Sequence, residues 1–203
     1  RATADATKKL AEVDKIYHEG LTSLKDLLSP AAVRFESSYF LLNSKYGRSF
    51  FVLTYPRFLS SNWLSFIINS EGQLDVSMFI YPIDSATILK KLKSKVGEIG
   101  SQIAINQEKG LVRDPMLETA YQDVEGLRDS LLQGSEKYFR FALYFTIYAD
   151  SLKELDEEST VLVSTLGAKL VVTKRALMQT EQGLISTLPY GLDEMNIGSN
   201  LNT

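Results

Sequence analysis

The run from Tyr138 to Ala149, YFRFALYFTIYA, alternates more strongly than any other part of the chain. Phe139, Phe141, Leu143, Phe145 and Ile147 point one way, and Tyr138, Arg140, Tyr144 and Tyr148 point the other. Side chains on a strand alternate between faces, so this pattern predicts the strongest strand of the protein. Asp150-Ser151 follows directly, and Ser151 with Glu154 matches a capping box, so a helix starts where the strand stops. Leu152, Leu155, Leu162 and Leu166 give that helix its buried side, with Gly167 as the expected end.

A second strand–helix unit stands earlier. Gln73 to Tyr81 alternates, with Leu74, Val76, Met78 and Ile80 on one face and Asp75 and Ser77 on the other. Asp84-Ser85 is a cap pair, and Ile88, Leu92, Val96, Ile99 and Ile103 form the stripe of a long helix ended by Gly110. Asp114-Pro115 starts another helix, with proline at its first position. Its stripe is Leu117, Tyr121, Val124, Leu127 and Leu131, and Gly134 ends it. The short connection predicts an antiparallel helical hairpin, each arm roughly 30 Å or longer at about 1.5 Å per residue.

The rest reads as smaller elements. Leu10, Val13, Tyr17, Leu21, Leu24 and Leu28 predict an amphipathic helix within residues 1–30, ended by Ser29-Pro30. Phe35–Leu42 and Ser49–Tyr55 read as two strands joined through Asn43–Gly47. Asn62–Asn69 reads as a short helical connector around Trp63, capped by Ser60 or Ser61. Ala168–Thr173 reads as a strand and Met178–Leu188 as a last helix before Pro189.

The expected fold class is therefore α+β, a small antiparallel sheet with ferredoxin-like strand–helix units. The repeat is read from FIYPIDS (79–85) and FTIYADS (145–151). The long helical hairpin, about residues 85–133, is inserted between the two halves. Residues 31–190 form the domain, and 191–203 a polar linker.

Composition removes whole classes of chemistry. There is no cysteine, so there is no disulfide and no thiolate metal site. The single histidine, His18, leaves almost no room for zinc sites or histidine relays. The formal net charge of −3, from 22 basic and 25 acidic side chains, argues against non-specific nucleic-acid binding. No apolar run reaches the roughly 18–20 residues that span a bilayer.

What remains are candidate contact surfaces. Lys90, Lys91 and Lys93, with Lys95, offer a phosphate or anionic-lipid contact, but at about 100° per residue they spread around the helix, as on a solvated face. Asp156, Glu157 and Glu158 offer acid/base or metal chemistry, yet consecutive helical residues diverge, and a helix start favours acidic residues in any case. Tyr138, Arg140, Tyr144 and Tyr148 offer either a stacking platform for single-stranded nucleic acid or a face buried under another domain. The helical arm offers a docking element for another protein or packs flat on its own sheet.

With these residues in view, the chain resembles the amino-terminal region of VirB-class (TraC/TrbE/CagE-like) ATPases of type IV secretion and conjugal transfer systems. The residues that carry the resemblance are TYPRFLSSNWLSFIIN, LDVSMFIYPID, the turn KGLVRDP, YFRFALYFTIYADSLKEL and TEQGLISTLPYGLDEMNIGSNLNT, in that order. The resemblance implies a non-catalytic docking and assembly domain that couples a motor to a membrane channel. It implies peripheral attachment at the cytoplasmic face of the bacterial inner membrane. ATP and magnesium belong, on this reading, to a carboxy-terminal domain, because no G-x-x-x-x-G-K-[ST] occurs here. This stretch thus carries no catalytic, cofactor or metal residue of its own, and its first residue, Arg1, suits a piece of a longer protein. Implied partners are that carboxy-terminal ATPase domain, channel subunits at the membrane, and further copies of the chain; nucleic acid is not expected for this domain alone.

Overall fold

The computed structural model describes residues 30, 32–70 and 72–203. The amphipathic helix expected between Leu10 and Leu28, and His18 with it, lies outside them. In chain order the elements are β1 (Val33–Phe35), β2 (Phe40–Leu42), β3 (Lys45–Thr54), α1 (Ser65–Ile68), β4 (Gln73–Pro82), α2 (Ser85–Glu108), α3 (Pro115–Gln133), β5 (Tyr138–Ala149), α4 (Leu152–Ala168), β6 (Val172–Arg175), α5 (Thr180–Thr187) and β7 (Ser199–Asn202).

β5 is the centre of a seven-stranded antiparallel sheet. β4 lines one edge of β5 along nearly its whole length, from Gln73 opposite Tyr148 to Pro82 opposite Phe139. The other edge is shared: β3 takes the end running from Tyr144 to Ala149, and β7 takes Tyr138 to Phe141. β3 is shared likewise, by β2 near Lys45–Gly47 and by β6 near Phe50–Thr54.

Tracing β3–α1–β4 and then β5–α4–β6 gives the strand order β6-β3-β5-β4. Each unit is a strand–helix–strand whose two strands are parallel with a third strand between them, the split arrangement of ferredoxin-like folds. The α+β class and the inserted hairpin are as expected, but the repeat is cut differently. The helix of the first unit is the single turn α1, not the long α2. Both α1 and α4 cover the same face, where Leu64, Ile67, Leu155, Leu162 and Leu166 pack on Phe50, Phe141, Leu143, Phe145 and Ile147.

α2 and α3 are inserted into what would be the β4–β5 hairpin. Pro82 and Phe139 are paired, and the Ile83 amide still donates to the Tyr138 carbonyl at 3.0 Å. The arms form where the local signals place them. Asp84 accepts from the Thr87 amide at 2.9 Å, and Asp114 from the Met116 amide at 3.0 Å. Gly134, at φ 71, supplies the left-handed residue that closes α3.

Other boundaries move for identifiable reasons. Phe35–Leu42 is not one strand: the Glu36 amide bonds the Tyr39 carbonyl at 2.9 Å and turns the chain between β1 and β2. The β2–β3 turn is Asn43-Ser44 alone, so Tyr46 and Gly47 belong to β3. Neither Ser60 nor Ser61 caps α1, which starts from Leu64 without a side-chain cap. Gly167 does not end α4; the chain leaves the helix at Leu170, which has φ 60. The strand expected at Ala168–Thr173 accordingly shifts to β6, and α5 begins only after Met178, which has φ 59.

The closing residues are the largest correction. The stretch 191–203 is no linker. It crosses the second face of the sheet, buries Met195, and ends as β7.

Candidate functional site

The second face of the sheet carries the tyrosines singled out in the sequence, and the chain itself covers them. Tyr144 is 1% exposed. Its hydroxyl donates to Asp193 Oδ1 at 2.6 Å and accepts from the Ile197 amide at 3.0 Å. Asp193 also receives the Tyr81 hydroxyl at 2.9 Å and the Asn196 amide at 2.8 Å. Arg140 reaches the Asn196 side chain at 2.8 Å and its carbonyl, and lies over the Tyr81 ring. Tyr148 donates to Asp75 at 2.7 Å. Tyr138 is half-buried on the same strand, opposite Asn202 of β7. Burial, followed by the Asp193 and Asp75 bonds, raises the Tyr144 and Tyr148 hydroxyls well above the usual tyrosine range.

Tyr144 and Arg140, with Tyr81, therefore act together as an anchor for the closing segment, while Tyr148 is tied to β4. A base cannot stack on Tyr144 unless Asp193–Ile197 lifts away. Deeper on the same face, Ser49, Thr146 and Thr187 form a buried hydroxyl chain with successive distances of 2.7 Å. The α5 backbone comes close enough there that Gly183 has no room for a side chain: a Cβ would stand 2.6 Å from that of Ser49.

The acidic run on α4 is dispersed. Asp156 pairs with the buried Arg48 at 2.7 Å, whose guanidinium also meets Ser159 at 2.8 Å and the Ser38 carbonyl at 3.0 Å. Glu157 faces Lys153 at 3.8 Å. Glu158 turns towards Gly72, at the rim of a cavity of about 430 Å³ floored by Phe66, Ile67, Leu74 and Leu162. Two further rim groups are already engaged, since Lys45 pairs with Asp150 at 2.7 Å and Glu154 accepts the Asp150 amide at 3.0 Å. Among the described residues no three acidic or histidine side chains converge as metal ligands.

The hairpin remains. α2 and α3 pack chiefly on each other, with Ile88, Ile99 and Leu131 buried along the seam and Tyr121 set against Gly100. Arg57, in the loop after β3, ties the arm to the sheet domain through both oxygens of Asp123, at 2.6 and 2.7 Å. Lys90, Lys91 and Lys93 are all exposed on α2 and do not converge. The tip carries exposed apolar side chains, Val112 at 92% and Met116 at 83% with Leu111 also in solvent, around the exposed Arg113, which pairs with Glu118. In the sequence the turn KGLVRDP carries part of the resemblance but is not marked as a contact surface, although Leu111 and Val112 in the loop and Met116 at the start of α3 are its available signal. Among the described residues, no helix is long and apolar enough to cross a membrane.

Compared with known protein families and with curated proteins, the chain matches none.

Proposed function

We propose that this chain is a docking and assembly domain of a type IV secretion or conjugal-transfer ATPase, attached at the cytoplasmic face of the bacterial inner membrane. On this reading it performs no chemistry, and it couples the motor to subunits of the transfer channel through the α2–α3 arm. The observation that carries the proposal is the arm itself. It is an insertion with a self-contained seam and exposed apolar side chains at its tip, mounted on a sheet whose second face is covered by the chain's own closing segment. Exposed apolar side chains grouped at the end of an element are a common form of protein contact. The resemblance of the ordered sequence blocks is what supports this choice of motor, and on this reading nucleotide chemistry falls to its carboxy-terminal domain.

The test is a deletion in the parent protein. Since Pro82 and Phe139 are paired, a short glycine-serine turn in place of residues 83–137 joins β4 to β5 without disturbing the ladder. The variant should keep ATP turnover in the parent motor and lose substrate transfer. Transfer at the normal level, or ATP turnover by the purified 203-residue chain alone, overturns the proposal.

A further inference from the structure

The two outer edges of the sheet are built differently. On one side the outermost strands are β1, of three residues, and β6 and β7, of four each. β1 carries Arg34, and β6 carries Lys174 and Arg175. Short length and positive charge are the usual protections against unwanted strand pairing. On the other side stands β4, ten residues long, with no lysine, no arginine and no bulge, and with proline only as its last residue. Its single charge, Asp75, is bound to the Tyr148 hydroxyl. Among the described residues no strand pairs with its outer edge.

An open ladder edge specifies its occupant more closely than an apolar patch does, because its unpaired amides and carbonyls need another strand. The side chains narrow the choice. Met78 and Ile80 lie on the face of β4 that packs against the core, yet they are 55% and 59% exposed, because α1 and α4 cover only the other end of that face. The incoming strand must therefore bring apolar residues at alternate positions on that face.

We infer that the occupant is β4 of a second copy of this chain, paired antiparallel about a twofold axis within a residue of Met78. β4 meets every requirement on itself. Centred on Met78, Val76 of each copy falls opposite Ile80 of the other, and the two Met78 side chains meet. Asp75 falls opposite Tyr81, so the only charge on the strand does not face its own image. A twofold closes the pairing after two copies and leaves only the short edges of β1, β6 and β7 outermost. The inference stands on β4 alone and does not depend on the ATPase reading.

The experiment is sedimentation of the purified chain over a concentration series, with Met78→Lys, Ile80→Lys and, as a control on the arm, Val112→Lys. All three sites are exposed in the single copy, and circular dichroism checks that each variant folds. The wild type should dimerise, the two β4 variants should weaken the dimer by roughly tenfold or more, and Val112→Lys should leave it unchanged. Because the chain has no cysteine, Met78→Cys gives a unique thiol, which should form disulfide-linked dimers under mild oxidation. A wild type that stays monomeric at the highest concentration it tolerates overturns the inference. So does a dimer that survives both β4 variants, or one that only Val112→Lys dissolves.

Discussion

Tyr144 and Asp193 meet at 2.6 Å, across almost fifty residues of chain, and their contact fastens the closing segment over the second face of the sheet. Asp193 serves Tyr144, Tyr81 and the Asn196 amide at once. Removing it takes away the shortest of these bonds and two more with it, and leaves the Tyr144 hydroxyl only the Ile197 carbonyl, at 3.0 Å, as an acceptor. Asp193→Ala should cost about 3 kcal/mol and Tyr144→Phe about 1–2 kcal/mol. The double variant should fall short of the sum, as for residues sharing one network. Chemical denaturation of the four proteins in a cycle checks this, and additive losses would show that the contact is incidental.

Tyr55 is the opposite case. Its hydroxyl is buried without a hydrogen-bond partner, while its ring packs against Trp63 and Phe141. Tyr55→Phe keeps the ring contacts and removes an unsatisfied polar atom. It should leave stability unchanged or raise it by up to about 1 kcal/mol. A loss as large as that of Tyr144→Phe would mean that the hydroxyl has an acceptor.

Three tyrosines set the alkaline limit. Burial raises Tyr55, and burial with an aspartate acceptor raises Tyr144 and Tyr148, above the ordinary value of about 10. Between the unfolded and folded values the unfolded chain has lost these protons and the native chain has kept them. Stability is therefore fully present below pH of about 10 and falls as pH rises beyond it. Phenolate absorbance should titrate in two stages, the second coinciding with loss of the far-ultraviolet helix signal. Titration of all ten tyrosines in one stage, with the fold intact, would contradict the burial.

Two glycines separate close packing from open space. Gly183 lies against Ser49, so Gly183→Ala should cost about 1–3 kcal/mol through overpacking. Gly126, inside α3, has nothing within 4 Å of the added carbon, and Gly126→Ala should stabilise by about 0.5–1 kcal/mol. Thermal unfolding of both variants measures the pair, and equal signs would refute the packing of α5 on β3.

The elements that sequence alone located are those whose signals are local. The arms of the hairpin carry their own caps in Asp84, Asp114-Pro115 and Gly134, and their stripes repeat over several turns. β5 declares itself by alternation. Alternation assigns residues to a face but does not say what covers the face, so Tyr144 reads as a platform as readily as an anchor. β7 has the sequence Ser-Asn-Leu-Asn, which has little intrinsic strand preference. It is a strand because β5 extends past the end of β3 and leaves an edge to fill. The acidic run on α4 resolves only once Arg48, more than a hundred residues earlier, is brought to Asp156. The true repeat stayed hidden because one crossover helix is a single turn and the conspicuous long helix belongs to the insertion.

On the proposed reading the tip of the arm is the contact with the transfer channel. These 203 residues hold no cysteine, so in a parent protein freed of any cysteine elsewhere Val112→Cys places one thiol at that tip, and Val161→Cys places one on an exposed position of α4 as a control. A thiol-directed crosslinker applied in cells that are actively transferring should join Val112→Cys to a membrane-embedded channel subunit and leave Val161→Cys free of that adduct. A channel adduct from Val161→Cys alone, or none from Val112→Cys while transfer proceeds, would contradict it.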